Sequence, residues 1–84
     1  MLMDDPMLDA RLLGSVIAGY RRQAGLSQEV LSGLAGIGRS HLSAIERGER
    51  KPTLETFCRL AAAMNMRMSE LAAAVENAMG EKKT

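Results

Sequence analysis

The stretch Gln28–Ile45, QEVLSGLAGIGRSHLSAI, decides the fold. Its apolar positions recur at helical spacing in two short segments, Gln28–Ala35 and Arg39–Arg47. Only a three-residue turn that begins at Gly36 separates the two segments. A connection this short is too tight for ordinary antiparallel packing, so the sequence predicts two helices that cross at a steep angle.

The residue types in this two-helix unit explain how the crossing is held. Ser32 is small enough for the second helix to approach the first, and Gly36 tolerates the positive φ that a sharp bend requires. The apolar side chains that clamp the crossing, at roughly 90–120°, are Leu31, Ala35, Ile37, Leu42 and Ile45. This geometry directs the second helix outward, where its first residues can reach base edges in the major groove of DNA.

Three further helices are predicted around this unit. The first covers Asp9–Ala24 and is capped by Asp9. Thr53 is expected to cap the fourth helix and Asn65 to follow its end, because Asn tolerates positive φ. The fifth helix is expected over Ser69–Met79. The expected buried stripe of the fourth helix consists of Leu54, Phe57, Leu60, Ala61 and Met64.

The chain is expected to form one domain, because 84 residues can build one core but not two. The predicted organisation is a flexible segment at 1–8, a domain at 9–80 with the two-helix unit at about 28–47, and a polar tail at 81–84. Tyr20 and Phe57 are the only aromatic residues. The core must therefore be aliphatic, which favours an all-α fold over a sheet.

Composition argues against several classes of protein. No apolar run approaches the length of a membrane span, and Met1–Ala10 lacks the basic region of a signal peptide, so we expect a cytoplasmic protein with no membrane partner. The single Cys58 excludes an intrachain disulfide and gives no zinc cluster. His41 has no second ligand at metal-binding spacing. Since no acid, base and nucleophile set is visible either, we expect no metal, no cofactor and no enzymatic activity.

Positive charge is concentrated in the middle of the chain. The net charge is only +1, but between Arg21 and Arg59 seven Lys and Arg residues stand against four Glu residues, a local charge of +3. Charged runs are often only solvated helix faces, yet this one coincides with the two-helix unit. The distribution therefore favours an anion-binding face, as a nucleic-acid-binding protein requires.

Several motifs in this order resemble the Cro/phage-repressor (xenobiotic-response-element) family of helix-turn-helix DNA-binding regulators. They are GLSQE at 25–29, GIGRSHLS at 36–43, IERG at 45–48 and KPTLET at 51–56. The resemblance covers residues from about 13 to 75 and implies a compact five-helix, lambda-repressor-like DNA-binding domain. It also implies a sequence-specific transcriptional regulator, a repressor or autoregulator, whose partner is double-stranded DNA.

The resemblance assigns DNA contacts by position. Gln28 matches the phosphate-contacting glutamine of the family, with Ser27 beside it at a helix N-terminus. Arg50 and Lys51 lie in the loop that commonly approaches the DNA backbone. Arg39 is the leading candidate for reading sequence, because arginine can bind guanine O6 and N7 with two hydrogen bonds. The implied base-contacting residues are Arg39, Ser40, His41, Ser43 and Ala44.

Other positions matter for structure or depart from the family pattern. Arg21 and Glu46 match a pair that forms an interhelical ion pair in the family, so a structural role is implied for both. Gly38 stands where the family often has a capping Ser or Thr, and Arg67 stands where a capping Ser often begins the fifth helix. Ala44 is too short to hydrogen-bond a base and could touch only a thymine methyl group.

The fifth predicted helix has more apolar residues than one core-facing stripe requires. One interpretation is that it packs on the first helix and exposes several alanines. The other, which we favour here, is a homodimer interface formed by Leu71, Ala74, Val75 and Ala78. A dimer would place two recognition helices about 34 Å apart and select a near-palindromic operator.

Two alternatives from the sequence remain open at this point. The chain could be an antitoxin whose main partner is a toxin protein, with the segment Met1–Asp9 and the fifth helix as contact surfaces. It could also be a restriction-modification controller, which is a special case of a DNA-binding regulator. A further protein partner, such as RNA polymerase, is not identified by the sequence.

Overall fold

The computed structural model describes residues 8–83, and its side chains are described as far as Glu81. In this part of the chain all regular structure is helical: α1 (Ala10–Gln23), α2 (Gln28–Ala35), α3 (Arg39–Glu46), α4 (Leu54–Ala63) and α5 (Met68–Lys83). The all-α prediction is therefore confirmed. Most of the predicted segment 1–8 lies outside the described residues.

Side-chain caps fix the beginnings of the helices. The Asp9 carboxylate accepts hydrogen bonds from the backbone N–H groups of Arg11 and Leu12, at 3.0 and 3.2 Å. Ser27 Oγ accepts one from Val30 N–H at 3.1 Å, and Thr53 caps α4 in the same way. These caps satisfy donors that would otherwise lack a partner in the first turn, so the predicted starts of α1, α2 and α4 are confirmed.

The turn between α2 and α3 is closed by backbone conformation. Gly36 adopts a left-handed conformation with φ of 73°. This bend lets Ile37 N–H donate to the Ser32 carbonyl oxygen at 3.0 Å and Gly36 N–H to that of Gly33 at 3.2 Å. The chain then enters α3 at once, as the spacing of the motif predicts.

The helices enclose one aliphatic core. α2 packs against both α3 and α4, while α1 packs against α3 and α5. Six large side chains at the centre are less than 2% exposed: Ile17, Leu31, Leu42, Ile45, Leu60 and Leu71. Leu31, Ala35, Leu42 and Ile45 of the two-helix unit belong to this core, and Ile37 packs against it, so burial rather than local preference orients α3.

α1 and α3 approach each other closely at Gly14. A Cβ atom at this position would overlap the carbonyl oxygen of Ile45 and lie 2.7 Å from that of Glu46. The absence of a side chain therefore brings the two backbones into contact and places the end of α3 against α1.

The structure corrects three expectations drawn from the sequence. Leu54, predicted to be buried, is 71% exposed because it lies in the first turn of α4, beyond the edge of the core. Leu71 and Val75, predicted at a dimer interface, are 0% and 4% exposed within a single chain. α5 also continues to Lys83 instead of ending near Met79, since residues 80–83 contain no proline and Glu and Lys are good helix formers.

The start of α5 has an unexpected cap. Arg67, which stands where a capping Ser was expected, donates its backbone N–H to Glu70 Oε1 at 2.8 Å. This is one half of a capping box, supplied by the glutamate in the first turn. Across residues 8–83, every helix is too short or too polar to span a bilayer.

Candidate nucleic-acid interface

α3 has one face in the core and one face open to solvent. Leu42 and Ile45 are fully buried against the other helices. Arg39 and Ser40 are exposed, whereas His41, Ser43 and Ala44 are half-buried. Among the described residues, neither Arg39 nor Ser40 has a side-chain hydrogen bond or ion pair, so both can turn toward an outside ligand.

The N-terminus of α3 has no side-chain cap. Gly38 occupies the capping position in an extended conformation, with φ of −71° and ψ of 148°, and makes no side-chain hydrogen bond. As the sequence predicts, no Ser or Thr side chain accepts a hydrogen bond from the backbone N–H groups in the first turn of α3. The missing cap leaves the backbone N–H groups beside Arg39 without a protein side-chain partner.

Ser43, a predicted base-contacting residue, is already engaged within the protein. Arg47 Nη1 donates a hydrogen bond to Ser43 Oγ. The same guanidinium forms two further hydrogen bonds of 2.9 Å with the Glu49 carboxylate. Hydrogen bonding and the charge of Arg47 together hold the pKa of Glu49 below its usual range. Sequence reasoning did not assign Arg47, although its spacing of four residues from Ser43 on one helix could have shown the contact.

The side chains of Arg21 and Glu46, predicted to pair, form a bidentate ion pair. Arg21 Nε donates to Glu46 Oε2 at 2.7 Å, and Arg21 Nη2 donates to Glu46 Oε1 at 3.0 Å. The third donor, Arg21 Nη1, reaches the carbonyl oxygen of Leu26 at 2.9 Å. Only 11% of the arginine side chain and 6% of the glutamate side chain are exposed. The pair therefore fastens α1 to the end of α3 and to the loop before α2.

Gln28 joins the same cluster. Its Nε2 atom donates to Glu46 Oε1 at 2.9 Å, so the first residue of α2 is hydrogen-bonded to the last residue of α3. Burial by itself would raise the pKa of Glu46, but hydrogen bonds from Arg21 and Gln28 outweigh this effect, and the pKa is held below its usual value. Glu46 is thus a carboxylate with both oxygens occupied. The sequence alone did not indicate the contact between Gln28 and Glu46.

The remaining predicted phosphate contacts are exposed. Ser27 combines its capping role with a position at the N-terminus of α2, where the helix dipole favours anions. Arg50 and Lys51 lie in the loop after α3, and in the described structure their side chains make no ion pair. The structure thus brings Gln28 to the end of α3 but does not join Arg50 or Lys51 to this cluster.

These features define a class of protein: a small all-α domain that exposes one face of the second helix of a steeply crossing pair. A family model described as helix-turn-helix matches residues 17–71, more than half of the chain. The chain belongs to this family of DNA-binding transcriptional regulators.

Individual relatives agree with this assignment. The chain is 41% identical over 61 residues to the uncharacterised HTH-type transcriptional regulator y4dJ of Sinorhizobium fredii, a match that covers 73% of the chain and 79% of the relative. The solved structure of the restriction-modification controller protein C.AhdI from Aeromonas hydrophila is 35% identical with a TM-score of 0.73, over 77% of this chain and 98% of that protein.

A more distant solved structure is the tetramer of the restriction-modification controller protein C.Esp1396I in complex with its natural 35 base-pair operator. It is 19% identical, with a TM-score of 0.77 over 87% of this chain and 96% of that protein, and it shares the fold. None of these three proteins is described as an antitoxin, so the comparisons give that alternative no support.

Proposed function

We propose that the protein represses transcription, including that of its own gene, by inserting α3 into the major groove of a near-palindromic operator. The observation that carries this proposal is the exposed face of α3, on which Arg39 and Ser40 have no partner in the described structure. An arginine with free donors suits guanine, where a bidentate contact discriminates by about 1–3 kcal/mol.

Phosphate contacts on both sides of α3 would set its register on the duplex. Ser27 and Gln28 offer the N-terminus of α2, and Arg50 and Lys51 offer exposed positive charge after α3. Contacts of this kind orient a protein without reading sequence. They also explain how a chain with a net charge of only +1 can bind a polyanion, since the charge is placed where it is needed.

We infer that a second copy of the chain covers an apolar groove beside α4. The groove has a volume of about 560 Å³ and includes exposed Leu54, while the core residues Leu13, Phe57 and Val75 form part of its lining. Because the core continues into the groove, a partner chain that covered it would extend the core, as in permanent dimers. The groove lies partly on α5, and its lining includes Val75 of the predicted interface, whereas Leu71 is buried inside the chain and Ala74 and Ala78 are half-buried outside the groove.

The same proposal places the protein in the cytoplasm, where its DNA would be, and assigns it no enzymatic activity. The family consists of DNA-binding regulators, which supports both points. C.AhdI and C.Esp1396I are restriction-modification controller proteins, and the operator that this chain prefers will identify the genes that it regulates.

Fluorescence anisotropy with DNA from immediately upstream of the gene tests this function. We expect the wild type to prefer this fragment to random DNA, and Arg39→Ala to lose most of that preference. Arg67→Ala, which removes an exposed arginine between α4 and α5, is the matched control and should bind like the wild type. If the wild type shows no preference for the upstream fragment at moderate salt, repression of its own gene is excluded.

A further inference from the structure

We propose that Glu46 is a positioning residue for DNA binding, which holds the Gln28 amide so that it is ready to donate to a phosphate. This inference rests on the proposed function, and it gives the Arg21–Glu46 pair a role beyond bracing the helices. Glu46 Oε1 lies 2.9 Å from Gln28 Nε2, and both groups lie where the end of α3 meets the start of α2.

The chemistry of the amide makes this contact directional. A glutamine side chain can present either its carbonyl oxygen or its NH₂ group, and only the NH₂ group can donate to a phosphate oxygen. The ionised Glu46 accepts hydrogen bonds but cannot donate them, so it selects the orientation in which Gln28 Nε2 faces the protein. One N–H of that group then binds Glu46, and the second N–H stays available to an acceptor outside.

Arg21 makes a carboxylate acceptable at this place. An uncompensated negative charge near the DNA backbone would repel it, but Glu46 receives two hydrogen bonds from the Arg21 guanidinium, at 2.7 and 3.0 Å. The pair carries no net charge. Arg21 also binds the Leu26 carbonyl oxygen at 2.9 Å, which holds the residues leading into the N-terminus of α2. The phosphate-binding end of α2 is therefore fixed before DNA arrives, which lowers the entropy cost of binding.

A test of this role must separate it from a loss of stability. The probe is a set of operator duplexes in which single phosphates are replaced by neutral methylphosphonates. Replacing the phosphate that Gln28 binds should lower the DNA affinity of the wild type by about tenfold. The same replacement should leave the DNA affinity of Gln28→Ala unchanged. Glu46→Asp keeps the negative charge beside Arg21, but it shortens the side chain by one methylene group and so withdraws the carboxylate from both Arg21 and Gln28. We expect Glu46→Asp to lose its sensitivity at that same phosphate and to keep it at the others.

A double-mutant cycle gives a second readout. If Glu46 acts through Gln28, the double variant Gln28→Ala with Glu46→Asp should bind DNA about as well as Gln28→Ala alone. A purely structural role predicts instead one of two results: Glu46→Asp weakens all phosphate contacts together and its loss multiplies with that of Gln28→Ala, or it weakens none of them. Either result would overturn the proposal. A wild type that binds no operator would overturn the proposed function instead, so the two failures are distinguishable.

A third measurement needs no variant and no DNA. Nuclear magnetic relaxation of side-chain amide groups in the free protein compares Gln28 with Gln23, which is exposed at the end of α1. We expect the Gln28 amide to be as rigid as the backbone, with an order parameter near 0.85, and the Gln23 amide to be clearly more mobile. Equal mobility of the two amides would contradict the proposal even if every variant failed to fold.

Discussion

Gly14 and Gly19 lie on the same helix, yet an added methyl group would meet different surroundings at the two positions. At Gly14 it would collide with the carbonyl oxygens of Ile45 and Glu46, which belong to the backbone and cannot rotate away. At Gly19 it would find no atom within 4 Å. The first glycine is therefore required by the contact between α1 and α3, and the second only adds freedom to the unfolded chain.

These surroundings predict opposite effects on stability. Gly14→Ala should lower the free energy of unfolding by about 1–3 kcal/mol, since the two helices must separate to admit the methyl group. Gly19→Ala should raise it by about 1 kcal/mol, because alanine is the better helix former. Urea unfolding of both variants measures the difference. Equal stability of the two variants would mean that α1 and α3 do not touch at Gly14.

Glu46 predicts how stability depends on pH. Its pKa is below the usual value in the folded state, because hydrogen bonds from Arg21 and Gln28 outweigh the effect of burial. The group therefore stabilises the fold fully above its unfolded pKa, about 4.3, and this contribution is lost as the pH falls through the lower, folded pKa. We expect the wild type to lose stability below about pH 4.3, and Glu46→Gln to be less stable at neutral pH but less sensitive to acid.

The control for this experiment is Glu55→Gln. Glu55 pairs with Arg59 at 2.8 Å on the surface of α4, where an ion pair contributes little. Thermal unfolding between pH 3 and 7 compares the three proteins. An acid response of Glu46→Gln as steep as that of the wild type would show that Glu46 does not carry the effect.

At the scale of the element, α3 is notable because the proposed recognition helix begins without a side-chain cap. Gly38 precedes it with an extended backbone that any residue can adopt, and no atom lies within 4 Å of where a Cβ would be. Ser27 and Thr53, in contrast, cap their helices. The first turn of α3 therefore depends on the buried Leu42 and Ile45 for its order.

Gly38→Ser should supply the missing cap. We expect a gain of a few tenths of a kcal/mol in the free energy of unfolding, which corresponds to a rise in Tm of roughly 2 °C in a domain of this size. Ser27→Ala is the opposite case and should lose about 1 kcal/mol, because it removes the hydrogen bond to Val30 N–H. Calorimetry of both variants checks this, and a Gly38→Ser protein less stable than the wild type would contradict it.

The helices were predictable to different degrees. The sequence predicts both ends of α2 correctly, because the Ser27 cap and the Gly36 turn act on neighbouring backbone atoms. Leu54 was misjudged because helical spacing identifies a stripe but not how far along the helix the core extends. The prediction that Leu71 and Val75 of α5 are exposed to a partner failed for a related reason. Alanines surround Leu71 and Val75, so the pattern does not reveal which side meets α1 and α4.

The site was predictable only where it repeats a family motif. The exposure of Arg39 and Ser40 follows from the crossing of two helices and was expected. The hydrogen bond between Gln28 and Glu46 joins residues 18 positions apart and depends on how α2 and α3 pack, which spacing does not encode. Long-range contacts of this kind require the folded chain.

At the scale of the whole molecule, two exposed leucines give a test of the dimer. Leu54 is 71% exposed in the groove beside α4, and Leu34 is 62% exposed on α2. If a second copy covers the groove, Leu54→Ser should weaken the dimer, because burial of a leucine contributes about 1.5–3 kcal/mol. Leu34→Ser should leave the dimer intact.

Sedimentation equilibrium over a range of protein concentrations measures both variants. Anisotropy on the full operator and on a half-site then separates assembly from DNA contact, since Leu54→Ser should lose affinity for the full operator but not for the half-site. A wild type that stays monomeric, or a Leu34→Ser variant that dissociates as readily as Leu54→Ser, would exclude the groove as the interface.

The free side chains of Arg39 and Ser40 have a consequence for how such regulators diversify. Neither residue packs in the core or bonds to another described residue, so exchanging them costs the fold little. If Arg39 and Ser40 contact bases as proposed, a gene copy with new residues at these two positions would encode a protein about as stable as its parent that binds a different operator. On this proposal, the base preference of the regulator can change one residue at a time while the fold of each variant is kept.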